Sequence, residues 1–270
     1  MATSFAPSAA PTVAPGSPGP AAGRRILSPW RRAVQLVLGL LAYTGSMAML
    51  LHAGQGAMPW DVLSQGIVRT TGWSFGTTVA LTSVVVLAAW VPLRQRPGIG
   101  TVANVVIIAV AIGPALALTE RVAPSPGPVT GAALAVGGIV LNGVATAAYV
   151  GVRLGPGPRD GLLTGLVART AWSVRAVKTG IEVAVVAAGW LLGGTLGWAT
   201  VAYALGVGVV VQAAARRRWL VPDGLGARVP VRVPPAVAPP ERTEREDRTR
   251  RRAREIARAL DSFGGPGRTG

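Results

Sequence analysis

Six apolar runs dominate the chain, at roughly 33–53, 74–93, 100–118, 130–152, 174–193 and 196–214. Each is about 20 residues long, enough at ~1.5 Å per residue to cross ~30 Å of hydrocarbon as a helix. Charged residues gather between the runs, so the pattern predicts six membrane-crossing helices. Gly113-Pro114 interrupts the third run, and Lys178 and Glu182 lie near one end of the fifth. Only the glycine turn Gly193-Gly194-Thr195-Leu196-Gly197 separates the fifth run from the sixth. The flanks differ in kind. Residues 1–28 are Ala, Pro, Ser and Gly with two arginines, a composition that buries no core and reads as a disordered tail. No apolar run precedes its prolines, so it does not read as a secretory signal. Residues 216–270 are Pro-rich as far as Pro240 and then dense in Glu and Arg, the pattern of a solvated, partly helical tail. Ile256, Ala257 and Leu260 form a thin apolar stripe there, suited to a protein partner or a membrane surface. The expected organisation is a tail at 1–28, a membrane domain at 29–215 and a charged tail at 216–270.

Composition sharpens this reading. The chain has 270 residues, 50% apolar and 14% charged, and the first 215 contain only four acids: Asp61, Glu120, Asp160 and Glu182. So few charges do not cover a water-facing surface. Lys and Arg also set a direction. With six crossings, one side receives Arg24, Arg25, Arg31, Arg32, Arg94, Arg96, Arg153, Arg159, Arg169, Arg175, Lys178, Arg216, Arg217 and Arg218, and the other only Arg69 and Arg121. The positive-inside rule then puts both termini in the cytoplasm. Tryptophans favour the headgroup level. The same topology places Trp30, Trp90, Trp172 and Trp219 near the inner interface and Trp60, Trp73, Trp190 and Trp198 near the outer one.

A shift of 99 residues superimposes the sequence on itself. Eight of sixteen positions between Pro59 and Ser74 are identical to their mates: Pro59/Pro158, Asp61/Asp160, Leu63/Leu162, Gly66/Gly165, Val68/Val167, Thr71/Thr170, Trp73/Trp172 and Ser74/Ser173. The same shift pairs Gly39 with Gly138, Gly56 with Gly155, and Thr101-Val102-Ala103 with Thr200-Val201-Ala202. Each copy (about 30–118 and 129–214) holds three crossings. An odd number means that the second copy enters from the opposite side, so an all-α bundle of two inverted three-helix repeats is expected.

The paired segments each read Pro-x-Asp followed by a short helix. Asp is a good N-cap, and a helix of about 9–12 residues spans only half a membrane. Each is read equally as re-entrant toward a central cavity or as flat at the interface. Asp61 and Asp160 are either capping carboxylates or cation-interacting groups at the two mouths. Arg159 is a local ion-pair partner or an anion contact. Glu182 is the acid well inside a span; it marks an ion or proton route, or it is neutralised by Lys178 four residues earlier on the same face. Asn104, Asn142 and Gln35 are interhelical hydrogen-bond partners or, for Asn104, a pathway residue. His52, at the outer end of the first span, reads as structural. Gly189, Gly193 and Gly197 form a small-xxx-small ladder, which fits close helix packing within the chain or across a homodimer.

With no Cys and one His, the chain lacks thiolate or His-rich metal sites and a Ser-His-Asp set, and it has no Walker loop. The expectation is a non-enzyme with no metal and no cofactor. The formal charge of +16 lies at span ends and in the tail rather than along one face, so no nucleic-acid partner is expected. The leading reading is a secondary transporter or exporter of a small molecule in the lipid bilayer. The alternative is a scaffold or accessory subunit that binds a protein through its tail.

The residues also carry a resemblance. Arg31-Arg32, Pro59-Trp60-Asp61-Val62-Leu63 with Gln65-Gly66, and Thr71-Gly72-Trp73-Ser74-Phe75-Gly76-Thr77 resemble the YczE-like bacterial integral membrane proteins, related to the YitT group. So do Pro92-Leu93-Arg94-Gln95-Arg96-Pro97-Gly98 with Gly100-Thr101 and Asn104, Leu154-Gly155-Pro156-Gly157-Pro158-Arg159-Asp160-Gly161-Leu162, and Ile181-Glu182. The resemblance covers about residues 30–215. It implies a polytopic protein of the bacterial plasma membrane and no particular activity.

Overall fold

A computed structural model describes residues 28–170 and 172–217. The expectations for the tail 1–28 up to Leu27, for Arg24, Arg25, Arg218 and Trp219, and for the charged tail beyond Arg217 lie outside the described residues. The described residues form eight α-helices: α1 Pro29–His52, α2 Pro59–Thr71, α3 Phe75–Leu93, α4 Ile99–Val122, α5 Pro128–Gly151, α6 Pro158–Thr170, α7 Val174–Leu191 and α8 Trp198–Ala215. Five of them, α1, α3, α4, α5 and α8, are long and apolar enough to cross a membrane. The 18-residue α7 carries Arg175, Lys178 and Glu182 and falls outside that set. Gly113-Pro114 does not end a helix; Pro114 lies inside a continuous α4.

Local chemistry sets the boundaries and does so twice. Offset by 99 residues, the bounds of α1 fall on those of α5 and the bounds of α2 on those of α6; α3 and α4 start opposite the starts of α7 and α8. The Thr-x-Trp-Ser turn explains part of the sequence identity. Thr71 Oγ1 accepts from the Trp73 amide and Thr170 Oγ1 from the Trp172 amide. Ser74 and Ser173 then cap α3 and α7, each accepting from the amide three residues on, at 3.1 and 3.2 Å. The prolines opening α1, α2, α5 and α6 occupy the first helical position, where no N–H is needed.

Packing repeats as well. α1 lies against α5 at the centre; α1 packs on α4 as α5 packs on α8, and α2 on α7 as α6 on α3. Two glycines with positive φ, Gly56 (111°) and Gly155 (128°), let the loops before α2 and α6 press on the starts of α8 and α4. The Ala199 amide donates to Gln55 O at 3.1 Å, and its counterpart Gly100 donates to Leu154 O at 2.8 Å. The contact of α3 with α6 is large-on-small, Trp90 over Gly161; that of α2 with α7 is small-on-large, Gly189 against Val62 and Leu63. These are mates with the bulk exchanged.

Two expectations change here. Trp90, expected near the inner interface, faces the protein interior rather than the outside: it is 2% exposed, and its Nε1 donates to Pro158 O at 3.0 Å. Trp30, Trp73, Trp172, Trp190 and Trp198 are exposed. The glycine ladder is not one helix face, because α7 ends at Leu191 and Gly193 adopts a φ of 89°. Gly189 and Gly197 are spent on close contacts inside the chain, with Leu63 and with Gln55. Exposed Val and Leu cover the outward faces, including Leu38, Val85, Val106, Val136 and Leu205, and meet lipid.

Candidate functional site

The loops before α2 and α6 bring the first turns of both short helices inward, and the two meet. Arg159 Nη1 of α6 lies 3.6 Å from Asp61 Oδ1 of α2, and the guanidinium carbon sits 5.1 Å from the centre of the Trp60 ring. Arg159 therefore pairs across the repeats with Asp61 rather than with its neighbour Asp160. The two Asp segments are juxtaposed, where separate mouths were expected. Neither acid is an N-cap. Met58 and Gly157 precede the helices, Pro59 and Pro158 open them, and the acids stand third. The proline supplies the fixed φ and displaces Asp two places inward.

From equivalent positions the two acids have different surroundings. Asp160 accepts from Tyr149 OH at 2.9 Å. Asp61 is 0% exposed, and neither carboxylate oxygen has a hydrogen-bond partner among the described residues. Its ion-pair partner among the described residues is the Arg159 guanidinium, at a distance too long for an ordinary hydrogen bond. A buried carboxylate held by a single long ion pair is costly to keep ionised. The asymmetry follows two differences between the copies: Leu50 stands opposite Tyr149, so Asp61 has no matching hydroxyl, and Trp60 stands opposite Arg159.

Beside this pair lies a cavity of about 560 Å³ between the two halves, the size of a small-molecule site. Arg159, Asp160, Lys178, Glu182 and Asn104 line it, whereas Asp61 sits behind the wall and touches it through Arg159 and Trp60. The cavity thus gathers the residues singled out from sequence. Lys178 Nζ meets Glu182 Oε1 at 2.6 Å, the pairing their spacing predicts. Asn142 and Gln35 make interhelical bonds. Asn142 donates to Ser46 and accepts from Tyr203 OH, both at 2.9 Å, and Gln35 donates to Ala148 O. His52 is tied to Ala123 O at 2.7 Å and to Glu120 at 3.1 Å.

Sequence reasoning missed the tyrosines. All three in the chain, Tyr43, Tyr149 and Tyr203, line the cavity. A signal was present: the 99-residue offset pairs Tyr43 with Asn142 and Asn104 with Tyr203. Polar residues recurring at mated positions inside apolar runs mark the interior.

Apolar outward faces, helices of spanning length and a partly polar interior define an integral, multi-pass membrane protein. The match to relatives places it further. Residues 30–216 match the family of unknown function DUF6198, and the chain belongs to that family. It is 36% identical over 182 residues to an uncharacterized protein of Haemophilus influenzae, covering 67% of this chain and 82% of the relative. It is 31% identical over 163 residues to the uncharacterized membrane protein YczE of Bacillus subtilis, covering 58% and 72%. The YczE likeness read from the motifs therefore holds. No solved structure matches the chain.

Proposed function

We propose that the protein is a secondary transporter of a small molecule, built from two inverted repeats with six crossings, α7 being the sixth. In this reading α2 and α6 are re-entrant half-helices, both termini are cytoplasmic and the substrate binds in the central cavity. The observation that carries it is the cavity itself. Both halves line it, and the junction of the two short helices closes one side with a buried Asp61–Arg159 pair. A scaffold has no need to hold an isolated carboxylate at the contact between its repeats, whereas a protein that alternates between two arrangements needs a contact that can be remade. Asp61 and Glu182 are the acids placed to couple an ion or proton to that change.

The absence of cysteine makes the test direct. Thr146→Cys and Leu163→Cys place single thiols on the cavity wall. A membrane-impermeant maleimide added from either side of oriented vesicles reports access. Labelling from both sides is expected for alternating access; labelling from one side only would overturn transport. Once a substrate is in hand, flux into proteoliposomes with and without a pH gradient, for Asp61→Asn and Glu182→Gln, assigns the coupling group.

A further inference from the structure

The cavity's charges are unevenly satisfied, and this points to a ligand. Its two acids are occupied, Asp160 by Tyr149 and Glu182 by Lys178. Arg159 is not. It is 22% exposed, faces the cavity and lies over the Trp60 ring, and of its five N–H donors only Nη1 approaches an acid, Asp61 Oδ1 at 3.6 Å, among the described residues. Three basic groups (Arg159, Arg175 and Lys178) and two acids (Asp160 and Glu182) line the space, and the third acid, Asp61, lies behind Arg159, so the unfilled donors on the cavity side rather than net charge favour an anion. A guanidinium is planar and matches a carboxylate through two parallel N–H···O bonds. Met47, Met58 and Ile108 line the same space and offer apolar surface.

We propose that the cavity binds a small organic anion, a carboxylate on an apolar or aromatic body, whose acid group docks on Arg159 in place of Asp61. This rests on the transporter reading and names its substrate class. Docking removes the one counter-charge of Asp61. An isolated buried carboxylate costs several kcal/mol, so Asp61 then takes a proton from solvent. Anion binding therefore strengthens as pH falls. Arg159 of α6, Tyr43 of α1 and Tyr203 of α8 share in this balance with Asp61, and Asp160 of α6 and Arg175, Lys178 and Glu182 of α7 line the cavity beyond Arg159.

The test uses the full chain in nanodiscs and three labelled carboxylates (benzoate, phenylacetate and 1-naphthoate) against benzamide and benzylamine, at pH 6, 7 and 8. Saturable binding of at least one carboxylate is expected, about tenfold or more tighter than the amide or amine and tightening toward pH 6. Arg159→Gln loses that preference. The double variant Asp61→Asn/Arg159→Gln, which removes both charges together and keeps the core neutral, supplies the measurement if the single variant does not fold. Asp61→Asn alone keeps carboxylate binding and flattens its pH dependence. Carboxylates bound no better than benzamide or benzylamine, or a preference that survives loss of Arg159, would overturn the proposal. Two-sided maleimide access in the Thr146→Cys and Leu163→Cys variants, in the same preparation, leaves transport standing after such a failure. One-sided access removes transport whichever probe binds.

Discussion

Gly161→Ala tests how the first turn of α6 is held in the cavity wall. A methyl built on Gly161 stands 2.5 Å from Trp90 Cε2 and closer still to Cζ2 and Cη2. Carbon atoms rest at about 3.5–4.0 Å, so the indole must retreat by at least ~1 Å. Trp90 is buried on all sides, and its Nε1 is bonded to Pro158 O at 3.0 Å. Overpacking costs about 1–3 kcal/mol. Losing the indole bond adds about 1 kcal/mol, because Pro158 O is left buried without that donor. The expected loss is about 2–4 kcal/mol. Thermal retention of the monodisperse peak in detergent should fall by several degrees. Pro158 immediately precedes Arg159 and Asp160, so carboxylate affinity should fall in the protein that remains folded. The partner variant decides the mechanism. Trp90→Leu empties the volume the methyl needs, so Gly161→Ala should cost at most about 1 kcal/mol in the Trp90→Leu background, a coupling typical of residues in contact. Equal cost in both backgrounds would refute the steric argument.

Other outcomes follow from the same geometry. Gly56→Ala and Gly155→Ala each combine a positive φ with close approach (2.6 Å to Thr200 Oγ1 and 2.9 Å to Thr101 Oγ1) and should both reduce the yield of folded protein. Gly54→Ala, at φ 66° with open space around it, should cost only about 1 kcal/mol in the same expression and melting assays. Asn142→Leu removes the donor to Ser46 Oγ, which still donates to Tyr43 O, and the acceptor of Tyr203 OH, and should destabilise by about 1–3 kcal/mol, while Tyr203→Phe, which removes one bond, costs less in thermal melts. Lys178 and Glu182 are partly exposed, so a Lys178→Gln/Glu182→Gln double-mutant cycle should return a coupling below about 1 kcal/mol despite the 2.6 Å contact.

Much of the fold was legible in the sequence because bilayer helices announce themselves by length and apolarity. The six runs meet observed helices within a few residues, and the repeat offset read from Pro59–Ser74 reappears in the helix bounds. Other features were hidden for physical reasons. Proline and Asp near a helix start suggest a cap, but with proline in the first helical position Asp stands third, and this freed Asp61 from capping. Trp90 looked interfacial because it lies near the end of an apolar run, yet a glycine on another helix gives it a buried seat. The Asp61–Arg159 contact spans 98 residues and joins two different repeats, so no local spacing reveals it. Asn104, Lys178 and Glu182 were readable as rare polar groups in apolar runs, and Asp61, Asp160 and Arg159 from the repeated Pro-x-Asp segments between runs. That they share one cavity depends on tertiary packing alone.

The proposed function stands on an inverted arrangement of the two repeats, and one labelling experiment tests it. Trp73 and Trp172 are mates in the repeat, both exposed beside the turns that follow α2 and α6. Single-cysteine variants Trp73→Cys and Trp172→Cys, in intact cells and in inverted vesicles, should react with an impermeant maleimide from opposite sides, the first from outside and the second from the cytoplasm. Labelling of both from the same side would contradict the inverted repeat and the cavity function built on it.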